Sequence, residues 1–160
     1  MTKIPDKNII SDITVNINVS CDIVRFDSRK MAAMARETAK QLGIKKAQIN
    51  LAVVNDDEII SLNRRFLGKS NSTDVISFDL SDNTDDTRFF DIAVNAQMVQ
   101  RQGRTENRGS ESELALYFLH GLLHHLGFDD ISSAKAAKMH KTEDDILKKS
   151  GYGIVYDRKK

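Results

Sequence analysis

Apolar and polar residues alternate with a period of two from Ile13 to Val19, where Ile13, Val15, Ile17 and Val19 are interleaved with Thr14, Asn16 and Asn18. That alternation predicts a half-buried strand. The spacing then changes: Met31, Met34, Ala35, Ala39 and Leu42 recur at helical intervals, behind a capping Asp27 or Ser28 and ahead of Gly43. Gln48 to Val54 reads as a second strand. Asn55 and Glu58 form a capping box opening a short helix, with Ile59, Leu62 and Phe66 as its buried stripe and Gly68 as its stop. After the polar loop Lys69 to Ser72, Asp74 to Leu80 makes a third strand and Phe89 to Val94 a fourth. Between these two lies Ser81 to Thr87, whose Asp82, Asp85 and Asp86 mark it as a solvated loop.

Asn95 can start a helix through Gln97 and Val99 toward Gln102. A glycine-broken loop is expected next, carrying Arg101, Arg104 and Arg108 as solvated surface or as a phosphate contact. Ser110 and Glu113 make another capping box, followed by the apolar run Leu114 to Leu126. Ser132 or Ser133 begins a last amphipathic helix through Met139, Ile146 and Leu147, ending near Gly151. The order β-α-β-α-β-β-α-α-α describes an α+β fold: a small mixed sheet of about four strands covered by helices. The helix of Leu114, Leu116, Phe118, Leu119, Leu122, Leu123 and Leu126 is apolar almost all round, so it should be central and buried.

A chain of 160 residues with 40% hydrophobic and 29% charged residues has the length and composition of one globular unit. The expected division is a flexible leader at 1–12, a single metal-binding domain at 13–150 and a short tail at 151–160 with Arg158, Lys159 and Lys160. The net charge of +1 neither favours nor excludes nucleic acid, because a patch can be basic while the total is neutral. The lone Cys21 excludes an internal disulfide and fits a reducing, cytoplasmic setting. No apolar run approaches a membrane span, and the amino terminus lacks a signal-peptide core.

The chemistry concentrates in His120 to Asp130, which reads H-G-L-L-H-H-L-G-F-D-D. Histidines four apart on a helix lie one turn above each other and can grip one metal ion. Gly127 lets the chain leave the helix in a left-handed conformation, and three residues later it delivers the carboxylate of Asp130. The spacing H-x-x-x-H-x-x-G-x-x-D collects three zinc ligands, His120, His124 and Asp130, and leaves a fourth position open for water. His125 is turned about 100° round the helix from His124 and is expected to pack or to hydrogen-bond instead. His140, in a charged segment, reads as a solvated helix residue. Zinc peptidases carry H-E-x-x-H, whose Glu activates the water; here that position is Gly121, which argues against peptide hydrolysis.

H-G-L-L-H-H-L-G-F-D-D resembles the H-G-x-L-H-L-x-G-Y-D-H signature of the YbeY family, bacterial ribosomal-RNA maturation factors described as single-strand-specific, metal-dependent endoribonucleases. L-N-R-R-F-L-G-K-S-N-S-T-D-V-I-S-F is similar to the family's L-N-x-x-x-R-x-K-D-x-P-T-D-V-L-S-F, and F-D-I-A-V to its G-D-I-x-I strand. Met139, Glu143, Ile146 and Leu147 fall where the family's last helix has similar residues, so the resemblance runs from about Ile13 to about Leu147. It implies one zinc ion and a single-stranded ribosomal RNA substrate. It also implies the small ribosomal subunit as partner, with a role in 16S rRNA maturation and ribosome quality control. Arg64, Lys69 and Ser77 would bind substrate, with Asp74 as a further hydrogen-bonding group; Asp74 and Ser77 equally suit structural roles.

Four positions depart from the family pattern. Its third histidine corresponds to Asp130, whose carboxylate is a competent zinc ligand but lowers the positive charge of the site by one unit. Its arginine aligns with Leu67, and Arg64 or Lys69 could substitute. Its proline before T-D-V is Ser72 and its glycine before D-I is Phe90, both read as local packing changes. No residue stands out as a general base. Three function classes therefore remain: the endoribonuclease, a metal-binding ribosome-assembly factor of the same fold with little or no nuclease activity, and a metal-dependent hydrolase with another substrate.

Overall fold

The structure is a computed structural model that describes residues 12–82, 84, 86–106 and 109–153, without the side chains of 104–106. The expected leader before Asp12, Asp85 of the acidic loop, the side chain of Arg104, Arg108 and the basic tail Arg158 to Lys160 lie outside the described residues. The elements are β1 (Ile13–Val19), α1 (Ser28–Gln41), β2 (Ala47–Val54), α2 (Asp56–Leu67), β3 (Val75–Asp79), β4 (Arg88–Asn95), α3 (Ala96–Glu106), α4 (Ser110–His124) and α5 (Ser133–Lys149).

The fold is α+β, as the alternation of periods implies, with one four-stranded mixed sheet in the order β1-β2-β4-β3. β1 and β4 both run parallel to β2, while β3 runs antiparallel to β4 along the edge. In this register Ile17, Leu51 and Ile92 lie side by side, and Ser77 pairs with Ile92. Period-two alternation sends Ile49, Leu51, Val53, Phe90, Ile92 and Val94 into the main core with Met31, Met34, Ala35 and Ala39 of α1 and the apolar residues of α4. Leu114, Phe118, Leu119, Leu122 and Leu123 are all fully buried, so α4 is the central helix. The other face is covered in part only, by Ile59 and Leu62 of α2 over Val54, Ile76 and Ala93.

Local signals set most helix ends. Asp27 caps α1 by accepting from the N–H groups of Arg29 and Lys30, and Asn55 and Glu58 make the reciprocal box at α2. Ser132 caps α5. Four expectations fail. Gly103 does not break its helix, which continues to Glu106. A Cβ there would stand 3.1 Å from backbone atoms of Gly109 and Ser110, so the glycine permits α3 to lie against the start of α4. Ser110 does not cap α4: the cap is Gly109 at φ 87, with no side-chain bond, and Glu113 is buried. Phe66 is 55% exposed, because α2 covers only part of its sheet face, and it meets Phe78 edge-on. Leu42 is the C-cap residue of α1 and is 39% exposed.

Candidate metal centre

His120 and His124 occupy the last turns of α4. Beyond them the chain reverses: Gly127 takes φ +100°, and the N–H of Phe128 reaches back to the carbonyl of Leu123 at 3.2 Å. This is how helices close through a left-handed residue, and here it brings the following acid back over the helix end. The Asp129 side chain accepts from the N–H of Ile131 at 3.1 Å, tightening the turn around Asp130. One ligand atom from each of His120, His124 and Asp130 lies within 4.8 Å of the others. The two Nε2 atoms are 3.1 Å apart, and Asp130 Oδ2 is 3.9 Å from Nε2 of His120.

The spacing of the two imidazole nitrogens fits a metal, and the Asp130 carboxylate stands somewhat farther out. Two metal–nitrogen bonds of about 2.0–2.1 Å at a tetrahedral angle would hold their nitrogens about 3.3 Å apart. The rings stand nearly perpendicular, at 88°, and it is their Nε2 atoms that approach each other. Glu143 of α5 fixes the tautomer: its Oε2 lies 2.7 Å from Nδ1 of His120, so in the neutral ring Nδ1 carries the hydrogen and Nε2 presents its lone pair. Burial opposes charge on His120. The hydrogen bond and charge of Glu143, with the charges of Asp130 and Asp74, outweigh it and raise the pKa above the ordinary histidine value.

The sequence resemblance marked Glu143 only as a similar residue, with no role. A signal was nonetheless present. Met139, Glu143 and Leu147 recur every four residues and all three are fully buried, so the middle carboxylate interrupts an apolar stripe and needs a partner from another element.

The remaining expected residues lie outside the three-ligand cluster. A Cβ on Gly121 would stand 3.1 Å from Ile92, 3.2 Å from Val75 and 3.4 Å from the Cβ of Ser77. Gly121 therefore faces the sheet, not the metal, and Ser77 sits beneath the metal-bearing helix. Asp74 accepts from the Thr73 hydroxyl at 3.3 Å, its carbonyl accepts from the N–H of Asn95, and its charge acts on His120. Arg64, Leu67 and Lys69 are exposed around the end of α2. His125 is outside the cluster, stacked on Phe90 with ring centroids 5.4 Å apart, and burial lowers its pKa, opposed by the charge of Asp79 and aided by that of Arg88. His140 lies on α5, partly buried, and is not one of the clustered ligands.

Arg101 is exposed, as the solvated reading expects, with its side chain 53% accessible, and there it pairs with Asp56 at 3.2 Å. Asp56 also accepts from Asn95 at 2.6 Å and from Ser72 at 3.0 Å, while Asn95 Oδ1 caps α3 by accepting from the N–H groups of Gln97 and Met98. This network ties the first turns of α2 and α3 to the loop that carries Asp74.

A family model described as "Endoribonuclease YbeY" matches residues 14–151. Proteins named "Endoribonuclease YbeY" from Anaeromyxobacter sp., Myxococcus xanthus and Macrococcus caseolyticus are 32%, 34% and 33% identical to this chain, over 87%, 86% and 85% of its length. The alignments cover 73%, 48% and 94% of those proteins respectively. Among solved structures, the solution structure of a Thermotoga maritima protein superposes with a TM-score of 0.56 at 23% identity, covering 86% of this chain and 88% of that one, and so shares its fold.

Proposed function

The chain belongs to the YbeY family, and on that premise we propose that it is a zinc-dependent endoribonuclease acting on single-stranded RNA. The observation that carries this reading is the convergence of His120, His124 and Asp130 ligand atoms within 4.8 Å at the end of a buried helix. A zinc ion held there would act as a Lewis acid toward a phosphodiester oxygen. Glu143 keeps the His120 ring oriented, and Gly127 with the turn after it sets Asp130 as the third donor. Arg64 and Lys69, exposed at the end of α2, supply positive charge for the RNA backbone, and Ser77 and Asp74 offer hydrogen-bonding groups under the metal helix. The catalytic unit is residues 13–150, the RNA is that of the small ribosomal subunit (16S), and maturation with quality control of that subunit in the cytoplasm is the cellular role the resemblance implies.

A second reading, a metal-binding assembly factor of the same fold with little nuclease activity, draws on two particulars. Leu67 is 51% exposed where the family resemblance places an arginine, and Asp130 brings a negative charge where it places a histidine. Peptide hydrolysis has less support, because Gly121 packs on Ile92 and Val75 and leaves no room for the glutamate such a mechanism uses.

One assay separates these readings. Zinc-loaded protein is incubated with a single-stranded RNA and with its duplex, alongside the His124→Ala variant. Cleavage of the single strand alone, lost in the variant, is the expected result. Cleavage that survives in the variant exposes a contaminant, and absence of cleavage by the wild-type chain with zinc bound favours the assembly factor.

A further inference from the structure

The part of the sheet that α2 leaves uncovered is floored by a polar ladder. Asn16 of β1 donates to Asn50 of β2 at 3.1 Å, and Asn50 donates to Asp91 Oδ1 of β4 at 2.8 Å. Along one wall Phe66 and Phe78 meet edge-on, their centroids 5.4 Å apart, and the Arg65 guanidinium lies 5.6 Å from the Phe66 ring centre. Together they line an open cavity of about 590 Å³, within the size range of ligand sites. None of these residues belongs to the metal cluster, and the groove opens on the sheet face opposite α4.

We propose that this groove holds a nucleobase of single-stranded RNA. The lining decides against other occupants. A phosphate over the floor would meet the Asp91 carboxylate, and a purely apolar group would strip water from Asn16, Asn50 and Asp91 without replacing its hydrogen bonds. A base satisfies both demands: its exocyclic N–H groups suit Asp91 and Asn50, and its π face suits the 55% exposed ring of Phe66. Arg65, at the rim, then faces the backbone phosphate. The groove is also connected to the metal centre by β3, the edge strand, where Ser77 points under α4 and the next residue, Phe78, points into the groove. One RNA strand passing round that edge would touch both sites.

The proposal rests on the RNA-directed reading above, and its test needs no cleavage. Metal-free protein is titrated into fluorescein-labelled octamers of adenosine, cytidine and uridine, and anisotropy reports binding. Phe66→Ala is expected to weaken binding about 5- to 100-fold, Asp91→Ala, which removes the acceptor from the floor, to weaken it as well, and Phe66→Tyr to keep it. Wild-type affinity in both weakening variants overturns the proposal. So does equal loss in Phe66→Ala and Phe66→Tyr, because the ring would then not be the contact. Sedimentation of the same samples identifies a competing occupant: a dimer dissolved by Phe66→Ala with RNA binding unchanged assigns the groove to a second copy. If the nuclease reading alone is wrong, the octamers still bind through Phe66 and Asp91 but zinc-loaded protein never cuts them.

Discussion

The Glu143 carboxylate lies 2.7 Å from Nδ1 of His120, reaching it from a separate helix while fully buried. A metal-ligating imidazole whose second nitrogen is held by a carboxylate is fixed in tautomer and aim, and losing such a partner costs metal affinity about 10- to 100-fold. Glu143→Ala should therefore bind zinc at least about tenfold more weakly. Glu143→Gln, which keeps an acceptor oxygen, should lose less. Competition against a chromogenic zinc chelator measures both, and unaltered affinity in the alanine variant removes the orienting role.

Asp130 is the only member of the cluster donated by the loop after α4. Asp130→Ala should weaken zinc binding at least about tenfold, and Asp130→His should preserve it. The same competition titration applies. Equal affinity in all three proteins would mean that Asp130 is not a ligand.

Charge in the cleft should set the rate of RNA cleavage. Leu67, half exposed at the end of α2, is open to replacement by arginine without disturbing the core. The double variant Leu67→Arg, Asp130→His adds a positive charge at one position and removes a negative one at the other, and should cleave single-stranded RNA faster than the wild-type chain. Unchanged or slower cleavage in a gel assay would refute the charge argument.

Gly121→Glu would install the peptidase motif in sequence but not in space. The new side chain would be driven between Ile92 and Val75, overpacking the core and burying a carboxylate. A destabilisation of about 3 kcal/mol or more is expected, with no casein hydrolysis. A variant that melts at the wild-type temperature would show that the helix can turn this position outward.

Asp56 links pH to stability. Hydrogen bonds from Arg101 and Asn95 hold its carboxyl below the ordinary value of 3.8, burial opposing them and Ser72 and the Arg101 charge adding to them. A carboxyl with a lowered folded-state pKa stabilises the fold fully above its unfolded value, and that contribution fades as pH falls through the lowered one. Wild-type protein should exceed Asp56→Ala by about 1–2 kcal/mol in urea unfolding at pH 7. The gap should narrow once the pH drops below 3.8. A constant gap down to pH 2.5 would place its origin in packing.

What the sequence determined by itself were features written in short-range spacing. The strand at Ile13–Val19, the caps at Asp27, Asn55 and Ser132, the wholly apolar α4 and the approach of His120, His124 and Asp130 all depend on residues within a turn or two of one another. Local geometry suffices for these, because the helical and strand periods fix which neighbours share a face. What only the tertiary structure decided were contacts between segments far apart in the chain. Gly103 reads as a break until the start of α4 is seen against it, Arg101 reads as solvated surface with no partner assigned until Asp56 is found beside it, and Phe66 reads as core until α2 proves to cover only part of the sheet. Glu143 belongs to the same class: its charge is intelligible only once α5 packs on α4 and His120 becomes its partner. No periodicity encodes such pairings, since they arise when separate elements bury their faces together and each buried polar group must find its counterpart there.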